Sequence, residues 1–244
     1  MSQVRRLLKM SIVAGVASLN HKLRLALLLC APFLVLAEPA SAETATRREF
    51  NQAIASKTMD ARGAELFAQC ATCHGADGGG TANGSVPRIA GQHYRVLVRQ
   101  IVDFRHGERW DARMEGVARS HAILAGAQDI ADVASHVSRL EPDGRGGVRD
   151  GLYVERGATI YGASCSSCHG VDGSGNDRKE IPRLAGQHAG YLARQIYDAV
   201  DGRRPVLAKS HGKRFAPLVF EDVLGLTDYL ARIGWQAPPE TPAN

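Results

Sequence analysis

The residues "CATCHG" at 70–75 and "CSSCHG" at 165–170 write the same short pattern twice in one chain of 244 residues. Each copy sets two thiols three positions apart and places a histidine directly after the second. Thiols so spaced can bond the two vinyl-derived carbons of a haem while the adjoining imidazole reaches the iron, and C-x-x-C-H is the signature of c-type haem attachment. Zinc thiolate sites share the C-x-x-C element, and four cysteines would suffice for one tetrahedral site. Two disulfides would suit an exported chain, but partners so close in sequence close a strained loop with little structural return. A thioredoxin-like pair expects a βαβ context, and the flanking sequence offers none. Two copies in repeated helical surroundings favour haem.

The repeat extends well beyond the six-residue words. Cys70, Cys73 and His74 recur at Cys165, Cys168 and His169, an offset of 95 that holds through "PRIAGQH" (87–93) and "PRLAGQH" (182–188). Upstream, "RGAELFAQC" (62–70) answers "RGATIYGASC" (156–165) with one extra residue. Downstream, "QDIADVASHVSRL" (128–140) answers "EDVLGLTDYLARI" (221–233) at an offset of 93, so the second copy loses two residues between 103 and 128. Ile130, Val133, Val137 and Leu140, like Val223, Leu226, Leu230 and Ile233, fall at helical spacing. Asp129 and Asp222 lie near the starts of those segments, where acids suit a helix dipole. Helices are expected before Cys70 and Cys165, and the glycine-rich stretch after His74 is a loop. No strand pattern competes, so the expected fold is all-α: two tandem units at 45–141 and 151–236, joined by a turn-rich linker at 142–150. Units this small, with few large apolar groups, are marginal alone; a haem would complete each core.

Residues 1–42 read as a secretory signal peptide, removed after Ala42: a cationic start, the apolar run "LALLLCAPFLVLA" (25–37) and "ASA" at 40–42. Met10 is an alternative start. The apolar run is shorter than the roughly 20 residues needed to span a bilayer, which argues against a permanent anchor. The segment holds five of the 30 basic residues and one of the 25 acids, so the remainder carries a net charge of only +1. The basic bias belongs to the leader, and no basic, aromatic-interleaved surface is left to argue for nucleic acid. Cys30 leaves with the leader; the other four cysteines are those of the two motifs.

Gly63 and Phe67 before the first motif, "PRIAGQ" after it and the closing helix resemble a class I cytochrome c, and the tandem arrangement resembles the dihaem cytochrome c4 family over nearly all of the mature chain. That resemblance implies several features. The first and last helices of each unit meet through a glycine and aromatics; Gly157, Tyr161 and Tyr229 fit in the second unit, while His136 stands in Tyr229's place in the first and alters the contact. Pro87 and Pro182 turn their carbonyls to Nδ1 of His74 and His169, and Arg88 and Arg183 lie in the haem environment, able to pair with propionates. The sixth ligand is a methionine before the closing helix, a place held by Met114 in the first unit.

The second unit has no methionine. An offset of 95 sets Lys209 opposite Met114, and an offset of 93 sets Leu207 there. "LAKSHGKRFAP" offers His211 as the preferred sixth ligand, with Lys209 or an open position as alternatives; neutral imidazole is a good iron ligand, whereas lysine must first lose a proton. His188 is a weaker rival because His93 occupies its repeat position, and His106, His121 and His136 read as surface or structural. Methionine raises the potential of a c-type haem, so the first haem is expected to lie higher than the second. The expected function is an electron carrier with two covalently attached haems c, passing single electrons between periplasmic redox proteins such as a terminal oxidase or a dehydrogenase. A haem enzyme, peroxidase-like or thiosulfate-oxidising, with a labile second site is the alternative. A redox or gas sensor would need an output segment, and none is visible.

Overall fold

The computed structural model describes residues 44–141 and 146–234. The signal-peptide reading of 1–42 and the first four residues of the expected linker fall outside those residues. The described chain is all-α, with one isolated bridge, Asn176 to Ile181, in place of any strand. The first domain comprises α1 (Ala45–Ala55), α2 (Asp60–His74), α3 (Tyr94–His106), α4 (Ala112–Arg119) and α5 (Ala127–Arg139). The second comprises α6 (Val154–Ser164), α7 (Ser166–His169), α8 (Ala189–Val200), α9 (Pro205–Phe215) and α10 (Phe220–Arg232). None of these helices is long and apolar enough to cross a membrane.

The closing helices follow their periodicity. Ile130, Val133, Ala134 and Val137 of α5 are buried, as are Val223, Leu226 and Leu230 of α10, the i, i+3, i+4, i+7 stripe of a core-facing helix. Each closing helix crosses the motif-bearing helix of its own domain at a glycine. A Cβ on Gly63 would fall within 3.0 Å of the Asp132 carbonyl oxygen, and one on Gly157 would meet the Gly225 backbone as closely. One turn further along, Tyr161 and Tyr229 stand with ring centroids 5.6 Å apart and tilted by 46°. Phe67 and His136 stand at 5.5 Å and 47°. The imidazole, expected to alter this aromatic contact, therefore reproduces it.

Insertions and deletions between the copies resolve into local events. Helix α2 runs unbroken through Cys70 to His74, whereas its counterpart breaks at Cys165 (φ −121°, ψ −38°) into α6 and α7. The extra residue between Tyr161 and Cys165 is absorbed by that break. Helix α1 has no counterpart among the described residues of the second domain. It covers α3 with Phe50 and Ala53, accepts the Tyr94 hydroxyl at the Ala53 carbonyl (3.0 Å), and holds Arg105 and His106 on Glu49.

The domains meet through loops and side chains, and the repeated "PR-x-AGQH" segment makes the junction. Gln187 Oε1 accepts from Arg88 N at 3.0 Å while its Nε2 donates to the Arg88 carbonyl at 2.8 Å. Gln92 makes the same pair of bonds to Arg183, both at 2.9 Å. His93 Nε2 lies 2.8 Å from the Ser174 carbonyl, and His188 Nε2 lies 2.6 Å from that of Gly79. This reciprocity is a pseudo-twofold relation between the two copies.

Asp103 of α3 is buried near that junction. Burial pushes its carboxyl up to about 6, against the opposing pull of Arg99, Arg204 and Arg109. A carboxyl whose folded pKa exceeds its unfolded value stabilises the fold at low pH, and that contribution is lost as pH rises through the folded value. Asp103→Asn keeps the neutral form at every pH. Urea denaturation should therefore find the variant more stable than the parent above pH 6, by at most about 3 kcal/mol, with the gain gone below the ordinary aspartate pKa of 3.8. A pH-independent difference would contradict the assignment.

Candidate haem sites

His74 closes α2 and is buried. Its Nδ1 lies 2.9 Å from the Pro87 carbonyl, which fixes the ring and leaves Nε2 as the metal-facing nitrogen. Burial holds the imidazole below its usual pKa; the Pro87 carbonyl opposes this, and the charge of Arg113 adds to it. A neutral ring is the form that ligates. The loop returning from the motif closes through Gly80, whose N donates to the His74 carbonyl at 2.7 Å. Its φ of +75° and the Pro87 backbone, within 3.0 Å of a would-be Cβ, both require glycine. Cys70 is half-buried and Cys73 exposed. Met114 is the third residue of α4, half-buried, with its N held by the capping carboxylate of Asp111 at 3.2 Å. The neighbouring Arg113 acts electrostatically on His74.

The second site repeats the proximal half. His169 is buried, its Nδ1 is 3.1 Å from the Pro182 carbonyl, and burial lowers its pKa. Cys165 is half-buried and Cys168 exposed. On the other side, His211 of α9 faces His169, with ring centroids 6.1 Å apart. Its Nδ1 is 2.7 Å from Ser210 Oγ, and its ring stacks on Phe215 at 5.3 Å and 24°. Burial lowers its pKa first, followed by the charges of His169, Arg214 and Arg204.

Those numbers test whether a six-coordinate iron fits. An imidazole nitrogen bonds a first-row metal at about 2.0–2.1 Å, so two imidazoles on opposite sides of one iron have ring centroids about 6.3 Å apart. The observed separation agrees. Both Nδ1 atoms are engaged elsewhere, which leaves the Nε2 atoms for metal. Among the described residues no three His, Cys, Asp or Glu side chains converge into a metal cage, so the four thiols do not gather around a single zinc.

The register of α9 separates Lys209 from His211. Residues two apart on a helix lie about 200° apart around its axis; His211 is half-buried and Lys209 exposed. Leu207, His211 and Phe215, spaced by four, form the inward stripe. Helices α4 and α9 begin at Ala112 and Pro205, an offset of 93, so Leu207 is the counterpart of Met114 and His211 lies one turn further on. Arg109 and Arg204 still match at 95. The missing pair is therefore Trp110 and Asp111, a narrower location than the sequence alone gave.

Arg88 and Arg183 are buried between the domains and, with Ala90, Gln92, Ala185 and Gln187, line a small cavity there. Arg88 Nη1 donates to the Gly186 carbonyl at 2.7 Å, so a guanidinium read from sequence as a propionate partner also bonds across the junction. His188 is not available to iron: Gly147 N donates to its Nδ1 at 2.8 Å and its Nε2 meets the Gly79 carbonyl. His106 pairs with Glu49, and His121 Nδ1 lies 3.1 Å from the Ala125 carbonyl. Sequence reasoning missed Phe215 and Ser210 around His211. The spacing of four from His211 to Phe215 was the available signal.

The profile of the Cytochrome c family matches residues 61–141 and again 154–232. Cytochrome c4 of Azotobacter vinelandii is 35% identical over 158 residues, covering 59% of this chain and 73% of that protein. A thiosulfate dehydrogenase electron acceptor of Stutzerimonas stutzeri (strain A1501) is 33% identical over 174 residues, covering 68% of this chain and 79% of the relative. Among solved structures, reduced recombinant cytochrome c4 from Pseudomonas stutzeri superposes with a TM-score of 0.63 at 28% identity, covering 72% of this chain and 98% of that one.

Proposed function

Because the chain belongs to the cytochrome c family, as a cytochrome c4-like protein with two covalently bound haems c, we propose that it carries single electrons between periplasmic redox partners through two unlike haem sites. His74 and Met114 hold the first iron; His169 and His211 hold the second. The 6.1 Å separation of the His169 and His211 rings carries this reading.

Each haem, when bound, supplies one iron that cycles between the ferric and ferrous states. Cys70, Cys73, Cys165 and Cys168 tether the two groups through thioether bonds. The Pro87 and Pro182 carbonyls orient the proximal rings and raise their basicity. Arg88 and Arg183, buried between the domains, would offer their cations to propionates. A thioether stabilises ferrous iron relative to a nitrogen donor, which makes the first site the stronger electron acceptor and the second the stronger donor. A dehydrogenase fits as the electron source, given that one relative is an electron acceptor of such an enzyme, and a terminal oxidase fits as the destination. Export follows from the reading of residues 1–42.

The rival reading, a haem enzyme with an open second site, needs His211 to be absent from the iron. Near-infrared magnetic circular dichroism of the oxidised protein separates the cases, since methionine, histidine and lysine ligation give distinct bands. The second-haem band is expected to disappear in His211→Ala and to persist in Lys209→Ala. A band unchanged in the His211 variant would remove the assignment.

A further inference from the structure

Each helix that carries a proposed sixth ligand begins just after a buried or half-buried arginine. Arg109 lies five residues before Met114, and its N donates to the Asp103 carbonyl at 3.2 Å. Arg204 caps α9, seven residues before His211, and its N donates to the Asp198 carbonyl at 3.0 Å. Both guanidinium groups then cross the domain boundary. Gln195 Oε1 accepts from Arg109 Nη2 at 2.7 Å and from Arg204 Nη1 at 2.9 Å. Gln100 Oε1 accepts from Arg109 Nη1 at 2.6 Å and from Arg204 Nη2 at 2.8 Å. Every arginine thus bonds one glutamine from each domain, and every glutamine oxygen receives one N–H from each arginine. Tyr191 of the second domain adds an acceptor for Arg109 Nη2 at 2.6 Å.

We infer that Arg109, Arg204, Gln100 and Gln195 form a closed clamp that couples the sixth-ligand helices of the two haems, so that the hold on Met114 depends on residues of the other domain. The inference rests on the ligand reading above and goes beyond it, since neither arginine approaches an iron. Two cations on the same two acceptors repel one another, and the five hydrogen bonds they donate to Gln100, Gln195 and Tyr191 offset that repulsion. Burial, with Arg109 alongside, pulls the Arg204 guanidinium down to about 10, still charged at neutral pH. Tyr191, then Asp103 and Asp198, oppose that shift. Removing one acceptor leaves a donor short on both arginines at once, and the strain falls on the caps of α4 and α9. Coupling of this kind is reciprocal in equilibrium terms. The four residues are positioning residues.

The test reads the first haem while changing the second domain. Added imidazole displaces methionine from oxidised haem iron, and the loss of the methionine-to-iron absorption band reports the rate. Gln195→Leu should speed that displacement about tenfold, in keeping with the weight of hydrogen bonds to charged groups. Gln195→Glu, which keeps the acceptor, should restore the rate to within about twofold of the parent. Tyr191→Phe, a milder change that folds readily, should speed it about threefold and covers the case in which the leucine variant does not fold. A parental rate in Tyr191→Phe together with a parental rate in, or misfolding of, Gln195→Leu overturns the clamp. Met114→Ala is the separate control. If the band survives that substitution, the ligand reading fails; if the band is lost there but the Gln195 and Tyr191 variants behave as the parent, only the clamp fails.

Discussion

Substituting methionine for His211 is expected to raise the second haem's reduction potential by on the order of 0.1–0.3 V, a fraction of the roughly 0.8 V that axial ligands command. The parent protein should titrate in two separated one-electron steps, and in the variant those steps should draw together. The direction follows from ligand chemistry, because thioether favours the ferrous state and imidazole tolerates the ferric one. The location follows from α9. His211 is the residue of that helix whose ring meets His169 at a distance suited to one intervening metal, and Phe215 behind it fixes the ring plane. Lys209→Ala should leave both potentials in place, because that side chain is exposed on another face of the helix. His211→Ala should open the reduced second haem to carbon monoxide while leaving the first unreactive. Two indistinguishable potentials in the parent would falsify the assignment of unlike sites.

The parts of this architecture that were legible in the sequence are those in which one residue type has one physical use. The doubled C-x-x-C-H, the apolar stripe of α5 and α10, and the glycines at 63 and 157 each state a local requirement that survives without neighbours. The parts that were not legible depend on partners far along the chain. "PR-x-AGQH" looked like a haem-side marker in two separate units, yet Gln92, His93, Gln187 and His188 mostly bond across the junction. Nothing in a single copy reveals that its complement is the other copy. The loss of Trp110 and Asp111 could not be placed by alignment, because an offset of 95 or 93 is equally consistent with the letters between 103 and 128. The shared role of Arg109 and Arg204, at 95, and the aligned starts of α4 and α9, at 93, settle it. His136 stood out against Tyr229 as a mismatch because the comparison was chemical. The contact needs only a flat ring at that distance, and imidazole supplies one.

The helix crossing in the second domain sets up the other large effect. Gly157→Ala is expected to destabilise that domain by about 3 kcal/mol or more, at or beyond the upper end of overpacking costs, and to lower its melting temperature by more than about 12 °C. The added Cβ would lie within 3.0 Å of the carbonyl oxygen and carbon of Gly225 and of Leu226 N. All three are backbone atoms of α10, so no rotamer change relieves the overlap. The opposing glycine is as closely confined, since a Cβ on Gly225 would meet the Tyr153 carbonyl oxygen. The helices can only separate, and separation pulls Tyr161 from Tyr229 and loosens Leu226 and Leu230 in a core that is already small. Gly162 supplies the contrast on the same helix. It is exposed, and a Cβ there would meet nothing within 4 Å, so Gly162→Ala should stabilise α6 by about 0.5–1 kcal/mol through helix propensity. Thermal melts of the two variants should shift in opposite directions; equal shifts would mean that the crossing yields more easily than its geometry implies. Because α6 leads through Cys165 into His169, the strained variant should also disturb the second haem's spectrum while the first haem's methionine band stays as in the parent.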